Sequence, residues 1–184
     1  MSDLSQLVER LHRLEACEAI RQLKARYAAL ADAKYTADYC RQEPARMKEL
    51  AGAQAACFTP QAVWYGAEFG GDRVGREALA QWFEHSPWCF AAHYYVGADI
   101  AVDSQQARAN WRLWQLALRA DNAEAVLLMA RTEETYRCTE AHGWLIDSMR
   151  FSDVQVTALG SGSWPLAPGL EALRARSPVP IGTN

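Results

Sequence analysis

At 184 residues the chain has the length of one domain, enough to bury a core without disulfides or a structural metal. Half of its residues are hydrophobic and 22% are charged, an ordinary globular balance, and a formal net charge of −3 offers no basic stripe for nucleic acid. No secretory signal and no run of membrane-spanning length is present, so a cytoplasmic protein with neither membrane nor nucleic-acid partners is expected.

The chain opens as helix. Leu4, Leu7, Val8, Leu11 and Leu14, then Ile20, Leu23, Tyr27 and Leu30, recur at three- and four-residue steps and predict one buried stripe. Ser2 or Asp3 can cap the start, and Glu9, Arg10, Arg13, Glu18, Arg21 and Lys24 fill much of the opposite face. The polar segment Ala33 to Glu43 reads as a loop or short turn. A second helix is predicted from about Pro44, in its first turn, to Cys57.

After Thr59-Pro60, Ala62 to Tyr65 reads as a strand, interrupted by a turn at Gly66, Gly70 and Gly71. Gly75 opens a third helix, Arg76 to His85, which Pro87 ends. Four long strands follow, Ala92 to Val102, Ala107 to Arg119, Ala125 to Cys138 and Trp144 to Ala158, joined by short turns. Short turns between long strands describe an antiparallel meander. Helices first and strands later make the class α+β. The expected architecture is a cone-shaped α+β barrel, with N-terminal helices covering a strongly curved, mainly antiparallel sheet and enclosing a pocket. Residues 1–159 form that domain, and the Gly-, Ser- and Pro-rich tail 160–184 is a C-terminal extension.

Little in the sequence suggests metal or cofactor chemistry. The glycines between Gly66 and Gly75 lack nucleotide-site spacing, and there is no nucleophile elbow. Cys17, Cys40, Cys57, Cys89 and Cys138 contain no CxxC pair and read as reduced thiols. His85 and His93 straddle a proline, which is poor geometry for one metal. No metal and no cofactor are therefore expected, which leaves acid–base chemistry in an apolar cavity.

Asp32 falls where the first helix should end, at the negative pole of its dipole, a setting that favours proton acceptance. It also reads as an exposed residue of the polar loop that begins at Ala33. His93 stands in the apolar run Ala91-Ala92-His93-Tyr94-Tyr95-Val96, either a general base or a core histidine with a satisfied hydrogen bond. Tyr27 is a donor or a core aromatic. Five residues before Asp32, it points about 140° away from it on an ideal helix. Trp64, Tyr65, Trp82, Trp88, Tyr94, Trp111 and Trp114 are candidates for substrate-binding walls. Strand alternation lets only some of them face inward, and Trp111 and Trp114, three apart, should face opposite sides.

Several stretches carry a family resemblance. They are Ile20-Arg21-Gln22-Leu23 through Tyr27 and Asp32, Phe58-Thr59-Pro60-Gln61-Ala62-Val63-Trp64, Gly75-Arg76-Glu77-Ala78-Leu79, the His93 strand start, and Gly143-Trp144-Leu145-Ile146. In that order and spacing the chain resembles the SnoaL-like branch of the nuclear-transport-factor-2-like superfamily, over roughly Leu14 to Leu159. In that superfamily bile-acid 7α-dehydratase carries an active-site tyrosine, aspartate and histidine where Tyr27, Asp32 and His93 fall. Hexachlorocyclohexane dehydrochlorinase has the aspartate and histidine, and scytalone dehydratase a related pair. The long insertion between Asp32 and Phe58 and the tail after Gly160 depart from the pattern.

The resemblance implies a cofactor-free lyase carrying out a dehydratase-type β-elimination. His93 would be its base, Asp32 the orienting partner and Tyr27 a donor. The implied substrate is a hydrophobic cyclic hydroxy-carbonyl compound such as a steroid or polyketide. Two other readings stay open: a ketosteroid-isomerase-like enzyme using Asp32 as a direct proton shuttle, and a non-catalytic binding module that needs no Asp–His contact. A homo-oligomer, trimer or dimer, is expected, because the resembling enzymes self-associate and an apolar outer sheet face needs cover.

Overall fold

A single helix, α1 (Asp3–Asp32), carries the amino-terminal periodicity without a break. The computed structural model describes residues 3–66 and 70–159, so the predicted C-terminal extension lies outside the described residues. Only the second half of α1 is packed: Ile20, Leu23, Tyr27 and Ala31 are buried against the helix Pro44–Ala55 and the strands Trp88–Asp103 and Gly143–Ala158. At 1.5 Å per residue the helix is about 45 Å long, and the rest of the protein covers only its carboxyl-terminal part. Leu4, Leu7, Leu11 and Leu14 are each more than half exposed, correcting the expectation of one continuous buried stripe.

Lys24 is the opposite correction. Placed by pattern on the exposed face, it is fully buried, and its Nζ donates to Glu134 Oε1 at 2.5 Å. Thr132 Oγ1 donates to the same carboxylate oxygen at 2.6 Å, and Tyr136 Oη donates to Oε2. Trp111 Nε1 donates in turn to Tyr136 Oη at 3.0 Å. The ammonium also lies 3.6 Å from the centre of the Tyr95 ring, a cation–π contact inside the core. Burial pulls the Lys24 ammonium below its ordinary pKa, and the Glu134 charge opposes that pull.

Two shorter helices complete the helical layer. In α2 (Pro44–Ala55) the proline occupies the first turn, where its missing N–H costs nothing. In α3 (Arg76–Glu84) Leu79 and Phe83 are buried, and Gly75 supplies the positive φ of 86° at the helix entry.

The sheet has six strands: β1 (Phe58–Tyr65), β2 (Arg73–Val74), β3 (Trp88–Asp103), β4 (Gln106–Arg119), β5 (Ala125–Thr139) and β6 (Gly143–Ala158). Their order is β2-β1-β6-β5-β4-β3, antiparallel except for the parallel β1–β6 pair. The α+β class and the antiparallel meander are as expected. The sheet is mixed and open, with β2 and β3 as edges, so it is not a closed barrel. β1 starts at Phe58, ahead of the expected Ala62, because it runs through Pro60. Its register with β6 is irregular between Phe58 and Val63, which accommodates a residue with no N–H for the ladder. β3 carries register breaks between Trp88 and Phe90 and between Val96 and Asp99, the second containing Gly97 at φ 64°. Such bulges bend a strand, and β3 is the strand that α1 packs against most extensively.

Burial along β4 alternates strictly from Ala107 to Gln115. Trp111 is therefore buried while Trp114 is half exposed, on opposite faces as their spacing predicts. On the outer face Tyr94, Trp114 and Met129 are direct cross-strand neighbours and form an apolar row.

Candidate active site

A cavity opens between the carboxyl-terminal half of α1, the α2 and α3 helices and the concave face of β3 and β4. Its walls include Tyr27, Gln54, Trp64, Trp82, Phe83, Trp88, His93, Tyr95, Leu113 and Gln115. About 70 Å³ of it is open to the centre of a water molecule. Gly66 shapes the Trp64 side, where any Cβ would overlap the indole ring and the Gly71 carbonyl.

Asp32 is the last residue of α1, and His93 sits near the start of β3. The α1–β3 packing brings them together across 61 residues of sequence. Asp32 Oδ1 lies 2.7 Å from His93 Nδ1 and accepts the His93 backbone N–H at 3.0 Å. One oxygen thus holds both the ring and the main chain of the histidine. With Nδ1–H directed at Asp32, Nε2 is the ring nitrogen left to accept a proton. His93 lines the cavity, whereas Asp32, its side chain 39% exposed, stands behind the imidazole. The divergence of Tyr27 and Asp32 along the helix has this consequence: Tyr27 reaches the cavity directly, and Asp32 reaches it through His93.

Tyr27 is fully buried, in edge contact with Phe58, Phe83 and Tyr95. Desolvation first, then the Glu134 charge, raises its pKa, so it remains a neutral phenol. The neighbouring Gln54 and Tyr95 side chains oppose that rise by hydrogen bonding, without reversing it.

Of the seven aromatic residues expected as walls, Trp64, Trp82 and Trp88 line this cavity. Tyr65, Tyr94, Trp111 and Trp114 do not. Tyr65 lies beneath the Arg150 guanidinium, Tyr94 and Trp114 point outward, and Trp111 is committed to Tyr136 in the core. The reason is strand parity, which sends alternate side chains to opposite faces.

Lys34 escaped the sequence reading, which placed it in a polar loop. It is buried and lines the cavity, and its Nζ donates to the Phe83 carbonyl at 2.9 Å. The loop is pinned by Arg41, which donates to the Ser86 and Trp88 carbonyls, and by the Tyr35–Ser86 hydroxyl contact of 3.1 Å. Burial, assisted by Arg41 and opposed by Asp32, lowers the Lys34 pKa from 10.5 to about 7. Between these values the unfolded chain holds a proton that the folded protein has released, so stability rises with pH from about 7 towards 10. Lys34→Met should flatten that rise; melting temperatures of both proteins between about pH 6.5 and 9 check it.

Among the described residues no three His, Cys, Asp or Glu side chains cluster as a metal site requires, and no helix is long and apolar enough to cross a membrane.

The model of the SnoaL-like domain matches residues 12–150. The chain belongs to the SnoaL-like family. No curated protein sequence matches it. Among solved structures, this SnoaL-like protein is similar to a nuclear-transport-factor-2-like protein with a cystatin-like fold from Novosphingobium aromaticivorans. The two are 24% identical with a TM-score of 0.63, over 89% of this chain and 94% of that one. It is also similar to a hexachlorocyclohexane dehydrochlorinase from Novosphingobium barchaimii, at 17% identity and a TM-score of 0.63, over 89% and 98% of the two chains. A candidate scytalone dehydratase from N. aromaticivorans follows at 14% identity and a TM-score of 0.62, over 80% and 89%. At these identities the likeness shows a shared fold, and structural neighbours of this SnoaL-like chain include proteins named for lyase reactions.

Proposed function

We propose that this SnoaL-like protein is a cofactor-free lyase that removes water from a compact cyclic hydroxy-carbonyl substrate by β-elimination. The observation that carries the reading is the double grip of Asp32 Oδ1 on the imidazole and main chain of His93. It gives the histidine one tautomer, with Nε2 as a base at the cavity wall. His93 takes the proton from the carbon next to the carbonyl, the C–H electron pair is delocalised onto the carbonyl, and the new double bond forms when that pair returns and the β C–O bond breaks. The departing hydroxyl takes up the proton that His93 holds and leaves as water, which returns His93 to its neutral form. Tyr27, kept protonated by its burial, is the donor facing the reacting groups. Asp32 is a positioning residue that supports the imidazolium. Its place behind His93, outside the cavity wall, argues against a direct proton shuttle by Asp32. The cavity volume favours a one-ring substrate over an extended steroid, since one water alone needs ~10–15 Å³. Thermal-shift screening of cyclic hydroxy-ketones, followed by mass analysis of the product, tests the reading. Loss of water supports it; a double-bond shift without loss of mass would replace it with an isomerase.

We also propose that the protein self-associates through the Tyr94–Trp114–Met129 row, because two large aromatic side chains there are at least half exposed. Light scattering at micromolar concentration should give a dimer or trimer, and Trp114→Glu should shift it towards monomer. A wild-type monomer would count against this.

A further inference from the structure

Two residues that line the cavity each carry a buried amide atom with no hydrogen-bond partner among the described residues: Gln115 Nε2 and Gln54 Oε1. Both side chains are almost wholly buried, at 4% and 2% exposure. Gln115 lies directly opposite His93 in the β3–β4 ladder, so both project from the same face as cross-strand neighbours. On that face it is flanked by Leu113 and Ala117 along β4 and faces Leu128 on β5, all buried and apolar. Among the described residues nothing accepts a hydrogen bond from Gln115 Nε2. A buried donor without an acceptor destabilises the fold, and an apolar side chain of similar size would fill the place without that penalty. The acceptor is therefore to be sought in the ligand.

We propose that Gln115 binds the carbonyl oxygen of the ligand, holding it beside His93. The inference rests on the elimination described above and deepens it, by assigning the carbonyl to Gln115 and leaving Tyr27 to serve the departing hydroxyl. When His93 Nε2 takes the neighbouring proton, the C–H pair moves into the adjacent C–C bond and the carbonyl π pair moves onto oxygen. The Gln115 N–H group meets the charge that grows there. Return of that pair expels the β-hydroxyl, which takes up the proton held on His93 and leaves as water. Gln54 Oε1 supplies the complementary acceptor for a ligand hydroxyl. One acceptor and one donor in an apolar ring describe a cyclic β-hydroxy ketone.

Cyclohexanone and methylenecyclohexane, alike in shape but differing in the acceptor, serve as probes in ligand-observed NMR titrations. Wild type should bind the ketone about tenfold more tightly, the equivalent of one good hydrogen bond. Gln115→Leu should lose that preference, and its ligand-free melting temperature should hold or rise. Equal binding of the two probes by wild type, a preference that survives in Gln115→Leu, or a clear fall in that variant's melting temperature would each overturn the proposal. His93→Gln should keep the ketone preference while losing deuteration of the bound ketone in D2O. If deuteration persists in that variant, the His93 base fails and the Gln115 assignment still stands on binding.

Discussion

Replacing His93 with Gln should lower turnover by roughly 10²–10⁴-fold, the range expected when a positioned general base is removed. Its melting temperature should stay within roughly 2 °C of wild type, because glutamine keeps most of the volume and can still reach Asp32. Asp32→Asn should also cost a large factor. The asparagine oxygen can still accept the His93 backbone N–H, so the main chain stays in place. What disappears is the negative charge that fixes the tautomer and supports the imidazolium. The pair of measurements separates catalysis from packing. A histidine that served only the core would show the reverse, with lower stability and persistent activity in the folded fraction. A folded His93→Gln protein with full activity would end the proposed mechanism.

The largest loss of stability is expected from Lys24→Met. It leaves the Glu134 carboxylate fully buried, with the Thr132 and Tyr136 hydroxyls as its remaining donors. Removing one partner of a buried ion pair typically costs about 3–5 kcal/mol, because the other charge stays in a poorly solvating interior. For a domain of this size that corresponds to a fall in melting temperature of roughly 10 °C. Adding Glu134→Gln should recover most of the loss, since the neutral amide no longer needs a counter-charge. Urea denaturation of wild type, both single variants and the double variant gives the coupling directly. Additive effects would mean that the two side chains do not act as a pair.

Several parts of this protein were legible in the residues alone. The three- and four-residue steps of Ile20, Leu23 and Tyr27 marked the packed half of α1, and short turns between long apolar strands marked the meander. Asp32 and His93 could be picked out because each is a proton-transfer group directly after a short apolar run, Ala28-Ala29-Leu30-Ala31 for one and Ala91-Ala92 for the other. Their family pattern added the pairing. These properties are local: a helical period, a turn signal and a side chain's chemistry can be read without knowing what lies across the interior.

Other features depend on a partner far along the chain, and only the tertiary structure decided them. Leu4 and Leu23 share one periodicity, yet one is exposed and the other buried, because period reports an apolar face and not whether anything covers it. Lys24 reads as a surface lysine until Glu134, 110 residues away, is placed against it. Lys34 and Gln115 gave no signal of their own, since a polar residue in a loop or strand becomes part of a site only when neighbouring elements close around it. Parity divided the aromatic residues between cavity, core and outer face, and parity depends on strand register. Register, burial and the pairing of charges are properties of packed elements, so they are settled only when the helices and the sheet come together.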